Sequence, residues 1–157
     1  MKIQLMVIGK TASSYLSTGI DDYVKRIGRY VPFELKLLPD VKVSRGMTAE
    51  RQKELEGGVM LAAMQPGDYV VLLDERGKEL TSREFSAFID RKMSSLPKNL
   101  LFVVGGPYGF SRAVYDRANE LMSLSRMTFS HEMVRLFMVE QIYRAMTILR
   151  GEPYHHD

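Results

Sequence analysis

Short apolar runs alternate with longer amphipathic stretches along the whole chain, and this alternation constrains the fold more than any other feature. Residues 3–8, 33–38, 69–73 and 100–104 have the length and composition of strands. Residues 13–30, 48–64, 82–94, 112–122 and 132–150 carry apolar residues every three or four positions and read as helices. Residues 123–129 are too few and too mixed for a helix, and read as a short extended piece. Val70-Val71-Leu72-Leu73 and Leu100-Leu101-Phe102-Val103-Val104 are apolar on both faces. Strands of that kind belong in a parallel sheet covered by helices on both sides, so the expected class is α/β.

Local punctuation supports these elements. Thr81 with Glu84 fits a capping box, Thr48 and Ser111 are N-cap candidates, and Pro66-Gly67-Asp68 and Pro97-Lys98-Asn99 precede strands. No linker or repeat divides the 157 residues, so residues 1–157 are expected to form one domain. A chain of this length can bury roughly 70% of its unfolded surface. The polar, basic stretch 41–46, with Lys42, Ser44 and Arg45, is the expected mobile loop.

Composition excludes more than it assigns. No run approaches the roughly 18 apolar residues of a membrane span, and the start of the chain lacks an export signal, so the expected compartment is the cytoplasm. Cysteine is absent, which removes disulfides and thiolate metal sites. The three histidines lack ligand spacing, and no metal site is expected. The 22 basic and 19 acidic residues leave a net charge of +3, compatible with a polyanionic partner without identifying one.

The last helix carries too much apolar surface for one face. Val134, Phe137, Met138, Ile142, Ala145, Met146 and Leu149 form a stripe, and Leu136, Val139, Tyr143 and Ile148 extend it around the cylinder. A second subunit packed on this helix is the expected use, giving a homodimer; a helix buried centrally in one chain is the alternative.

Familiar phosphate loops are missing. Gly9-Lys10-Thr11 and Gly77-Lys78-Glu79 lack the upstream glycine of the Walker pattern. Gly9 stands alone where a dinucleotide fingerprint needs three glycines, so Asp40 has no such motif to complete. The strand at 100–104 instead empties into Gly105-Gly106-Pro107-Tyr108-Gly109. Pro107 removes an N–H donor and stiffens the turn, which suits a flat or apolar ligand better than a pyrophosphate; a tight turn with no ligand is equally open. In parallel sheets ligands sit beyond the carboxyl ends of the strands. Leu73-Asp74 and the 124–129 segment are two further strand ends able to line one pocket with this turn.

At the other end of the chain, Tyr154 and His155 follow a helix stop at Pro153, where an aromatic ring can fold back and stack rather than fray. Arg144 could contact phosphate, although its spacing from Glu140 also suits a surface ion pair.

As an ordered set, Leu72-Leu73-Asp74, Gly105-Gly106-Pro107-Tyr108-Gly109, Leu124-Ser125 to Phe129 with His131, Val134-Arg135 to Glu140-Gln141-Ile142-Tyr143-Arg144-Ala145, and Pro153-Tyr154-His155 resemble one family over essentially the whole chain. It is the bacterial ribosomal RNA large subunit methyltransferase H family, of the SPOUT class. The resemblance implies a C-terminal deep trefoil knot, a homodimer through the C-terminal helix, and S-adenosylmethionine as cofactor. It also implies methylation of N3 of a pseudouridine in 23S ribosomal RNA of the assembled ribosome. The family's cofactor positions fall on Leu73, Gly105, Leu124, Ser125, Arg126, Met127, Thr128 and Phe129. Its catalytic or substrate positions fall on Arg144, Tyr154 and His155. Arg126, Met127 and the His156-Asp157 ending depart from the family's pattern. A non-catalytic RNA-binding factor and a methyltransferase for another RNA position are the competing readings.

Overall fold

The structure is a computed structural model that describes residues 1–95 and 98–157, so the turn expected at Pro97 lies outside the described residues. The elements follow in the order β1 (Lys2–Ile8), α1 (Ser14–Ile27), β2 (Phe33–Leu38), α2 (Ala49–Ala63), β3 (Tyr69–Glu79), α3 (Ser82–Ser95), β4 (Asn99–Val104), α4 (Arg112–Arg117), β5 (Glu120–Ser123) and α5 (His131–Leu149). The strands form one parallel sheet in the order β2-β1-β4-β3-β5.

The doubly apolar runs are explained by two cores. Ile3, Leu5, Leu100 and Phe102 pack under α1, α3 and α5 on one face, with the Phe85, Phe88 and Phe102 rings in mutual contact. Met6, Val70, Leu72, Leu101 and Val103 pack against α2 and α4 on the other. The expected caps form. Thr48 accepts from the Arg51 N–H, Ser111 from that of Val114, and Thr81 and Glu84 exchange both bonds of the capping box. Ser13 makes no side-chain cap on α1; the Glu132 carboxylate accepts the Ala12 and Ser13 N–H groups instead.

Two expected boundaries are corrected. The helix expected over 112–122 stops at Arg117, and of the extended piece expected over 123–129 only Ser123 belongs to a strand, β5 at Glu120–Ser123. Helical periodicity loses to a long-range pairing: Asn119 exchanges two hydrogen bonds with Val70, and β5 then runs beside β3 from Val71 onward. Strand β3 in turn continues past Leu73 to Glu79 through an irregularity between Leu73 and Lys78. Gly77 lies so close to β5 that a Cβ there would sit 2.4 Å from the Met122 amide nitrogen. Gly77→Ala is therefore expected to push β5 off its partner and to cost about 1–3 kcal/mol in a urea melt; an unchanged midpoint would contradict the close approach.

The surplus apolar surface of α5 is largely used within the chain. Met138, Val139, Ile142, Ala145 and Met146 are buried against the rest of the core, while Val134, Leu136, Phe137, Tyr143 and Ile148 are half-buried and Leu149 is 40% exposed. The centrally packed helix named as the alternative thus accounts for most of the pattern. Among the described residues no helix is long and apolar enough to cross a membrane. The 41–46 stretch is irregular, with one turn closed by the Met47 N–H on the Ser44 carbonyl.

Candidate functional site

The irregular middle of β3 and the carboxyl ends of β4 and β5 open onto one cleft of about 730 Å³. Its walls are the segment after Leu73, the 105–110 turn and the 123–131 segment, so all eight residues expected at a cofactor line it together. Each wall has a physical reason for its shape. The 124–129 segment is tied by the Ser123 hydroxyl donating to the Ser125 carbonyl and by the Met127 N–H donating to the Ser125 hydroxyl. Phe129 packs its ring on Phe137 of α5, and Met127 stands 76% exposed at the mouth.

In the glycine turn, Gly109 adopts φ +85 and its N–H closes on the Gly106 carbonyl. Only glycine takes that φ without strain. A Cβ on Gly105 would meet the Phe110 ring at 3.1 Å, and one on Gly106 would meet the Glu56 carboxyl at 2.4 Å. The first two glycines are thus required by the protein packed around the turn.

Sequence reasoning placed Asp74 at a strand end without finding its role. Its carboxylate accepts from the Tyr115 hydroxyl, from the Arg76 N–H at 2.8 Å and from Arg76 Nε at 3.4 Å. Burial opposes the charge, but these donors outweigh it and hold the Asp74 carboxyl below the usual carboxylate range. Arg76 also lies over the Tyr115 ring, which packs edge-on against Phe110. The group links two walls of the cleft. Because the folded-state value is lowered, Asp74 contributes stability that is present above its unfolded value and is lost as pH falls through the folded one. Asp74→Asn is expected to reduce stability at neutral pH and to flatten this acid limb; unchanged acid melts would contradict the assignment.

The residues expected at the substrate form a second cluster. Tyr154 folds back against Tyr143, ring centroids 4.8 Å apart, and its hydroxyl donates to Glu140 Oε2 at 2.7 Å. Arg144 donates to Glu140 at 2.8 Å and to His155 Nδ1 at 3.0 Å, while His155 Nε2 lies 3.0 Å from Asp157. A guanidinium only donates, so Nδ1 is the acceptor and the neutral ring carries its proton on Nε2, facing Asp157. Burial first, then hydrogen bonds to Tyr23 and Glu140, push the Tyr154 hydroxyl well above its ordinary value, so it stays protonated and serves as a donor. The Glu140–Arg144 pair is half-buried, and Arg83 pins Asp157, so the tail is held against α3 and α5. Glu140 was legible only as an i,i+4 partner; Tyr23 left no local signal, because it lies 131 positions from Tyr154.

The two clusters do not meet within one chain. Val134, near the start of α5, lines the cleft, and Arg144 lies ten residues further along the same helix, which is about 15 Å at 1.5 Å per residue.

The chain matches, over residues 1–155, the family model described as "Predicted SPOUT methyltransferase". It is 57% identical over the full length of both chains to the "Ribosomal RNA large subunit methyltransferase H" of Parabacteroides distasonis. It is 52% identical, again over both full lengths, to the protein of the same name in Bacteroides thetaiotaomicron. A solved structure described as a probable methyltransferase from Bordetella pertussis Tohama I superposes with a TM-score of 0.55, covering 92% of this chain and 93% of the other at 14% identity, which supports the fold alone.

Proposed function

The chain belongs to the SPOUT methyltransferase family, and from that premise we propose that it methylates N3 of a pseudouridine in 23S ribosomal RNA of the assembled ribosome. The observation that carries this reading is the convergence of Leu73, Gly105 and the 124–129 segment on one cleft. S-adenosylmethionine supplies, when bound, a methyl carbon made electrophilic by its sulfonium. The residues present fit that cofactor. Leu73, Leu124, Phe129 and Val134 offer apolar walls for a flat adenine, and the turn presents main chain rather than side chains at Gly105 and Gly106.

Methyl transfer to a ring nitrogen is an in-line displacement, so the protein chiefly aligns donor and acceptor. When N3 takes the methyl group of the bound cofactor, a residue of the chain must accept the N3–H proton of the base. His155 takes that proton at Nδ1 once Arg144 turns from it toward the carbonyl oxygen on which negative charge develops. Asp157, already on Nε2, then stabilises the imidazolium. Tyr154 holds Glu140, and through it Arg144, in place.

This reading includes a homodimer through α5. Its support is the half-buried Leu136 and Phe137, the exposed Leu149, and the distance between a chain's own tail and its own cleft. A partner's tail brings Arg144, Tyr154 and His155 to that cleft. It also includes the C-terminal trefoil knot, supported by the path of α5 from the β5 edge back across the sheet to α1 and α3. A net charge of +3 per chain gives weak attraction to naked RNA, so recognition rests on the shape of the cytoplasmic ribosome.

Mass spectrometry of 23S ribosomal RNA from a deletion strain, before and after treatment of its ribosomes with the protein and S-adenosylmethionine, tests the reading. A single methyl group restored on a pseudouridine is expected, with protein-free transcript modified far more slowly. Equal modification of both substrates, or none of either, would overturn it.

A further inference from the structure

A second cavity of about 170 Å³ adjoins the cleft, between the ends of β1 and β2, helix α2 and the start of α5. It shares the 104–107 main chain and His131 with the cleft. One of its walls is Glu56, a carboxylic acid only 5% exposed. Among the described residues Glu56 Oε1 has no hydrogen-bond partner, and Oε2 has only a long contact, 3.4 Å, to the Gln52 amide. A carboxyl this poorly satisfied is unfavourable for folding by itself, which points to a task.

Its position indicates the task. Glu56 Oε1 lies against Gly106, where even a Cβ would come within 2.4 Å of it. The next residue, Gly57, lets α2 approach Ser111 so closely that a Cβ would fall 2.3 Å from the hydroxyl that caps α4. Helix α2 thus presses successive residues against both ends of the glycine turn. Inside that turn, among the described residues, the Gly106–Gly109 bridge and the fixed φ of Pro107 are the restraints on a backbone that its glycines otherwise leave free.

We propose that Glu56 is a positioning residue whose carboxyl, wedged against Gly106, holds the 105–109 turn in the shape that receives S-adenosylmethionine. The proposal rests on the cofactor reading given above. The wedge works as the neutral acid. Burial pushes the Glu56 carboxyl above its usual range, with Gln52 and His131 pulling weakly the other way. Across the cavity stand Asp40, at the end of β2, and Arg135 of α5, whose terminal nitrogens are already committed to Ile8, Gly9 and Thr11. With the Arg135 terminal nitrogens so committed, His131 is the basic group that lines the cavity beside Glu56, and ionisation of the carboxyl draws water to it and loosens the turn. The sign follows: with the value raised, the wedge is present at lower pH and lost as pH rises through that value.

Calorimetry with S-adenosylmethionine from about pH 5 to about pH 9 tests this on the wild type, Glu56→Gln and Glu56→Ala. Wild-type affinity is expected to fall at least about threefold toward the alkaline end, while Glu56→Gln stays flat and within about twofold of the wild type's best value. Glu56→Ala is expected to bind about tenfold more weakly throughout, and in turnover to raise KM for S-adenosylmethionine but not for ribosomes. Every other side chain is intact in each variant, so a difference between the profiles belongs to residue 56. A Glu56→Gln profile that tracks the wild type, or wild-type affinity in Glu56→Ala, would overturn the proposal; if Glu56→Ala does not fold, the first comparison decides alone. A wild type that binds no S-adenosylmethionine at any pH would instead refute the cofactor reading.

Discussion

Arg144→Ala is expected to slow methylation of ribosomes by at least about 100-fold while S-adenosylmethionine affinity stays within about twofold. The guanidinium lies with the tail, donating to Glu140 and His155, and contributes nothing to the walls of the cleft. In the proposed mechanism its removal takes away the cation that faces the developing negative charge, and with it goes the donor to the His155 ring. Arg144→Lys keeps the charge but cannot bridge Glu140 and His155 as a planar fork, so it should recover only part of the rate. His155→Ala should show the same separation, with a loss on the order of 100-fold or more if it handles the proton. Single-turnover rates beside calorimetry make the test. Parallel loss of cofactor binding and rate would make Arg144 a cofactor ligand and contradict its assignment to the substrate.

The largest effect on stability is expected at Arg135, which is only 2% exposed near the start of α5. Its Nη1 donates to the Gly9 carbonyl at 2.8 Å and to the Thr11 hydroxyl at 3.1 Å, and Nη2 to the Ile8 carbonyl at 2.8 Å. These acceptors end β1, where Gly9 turns with φ +78. Burial lowers the Arg135 pKa, with Glu132 and Asp40 opposing. Charged hydrogen bonds of this kind contribute about 1.5–3 kcal/mol each, and each buried acceptor left unpaired costs about 1–3 kcal/mol, so a total of several kcal/mol is expected. For Arg135→Ala in a domain of this size that corresponds to a fall in Tm of about 10 °C or more. Arg135→Lys, with one ammonium facing three acceptors, should lie between. A shift below about 3 °C would mean that water replaces the guanidinium at no cost.

Both residues show where sequence reading stops. Arg135 and Arg144 sit on one helix and look alike as isolated charges on an apolar cylinder. One is a strap across the end of β1 and the other a member of the tail cluster. Their partners on other elements lie 124 to 127 positions away for Arg135 and 11 for Arg144. The same limit explains the misplaced β5: residues 112–122 keep a helical period, but the bond pair between Asn119 and Val70 stops the helix. The breadth of the α5 apolar surface likewise did not say how much of it the chain covers by itself: α1 and α3 take much of it.

What the sequence determined by itself is what near neighbours decide. Strands apolar on both faces require a sheet covered twice, and Thr48, Thr81 and Ser111 start helices because their oxygens reach amides three residues on. The glycine turn after β4 and the neighbouring strand ends identify the cleft because parallel strands deliver their carboxyl ends to one edge. Only the tertiary structure decided that β5 lies outside β3, that Glu56 lies behind Gly106, and that the tail packs on α1 far from its own cleft. Those contacts join segments distant in the chain, and no local periodicity or propensity encodes which distant partner a buried polar group will find.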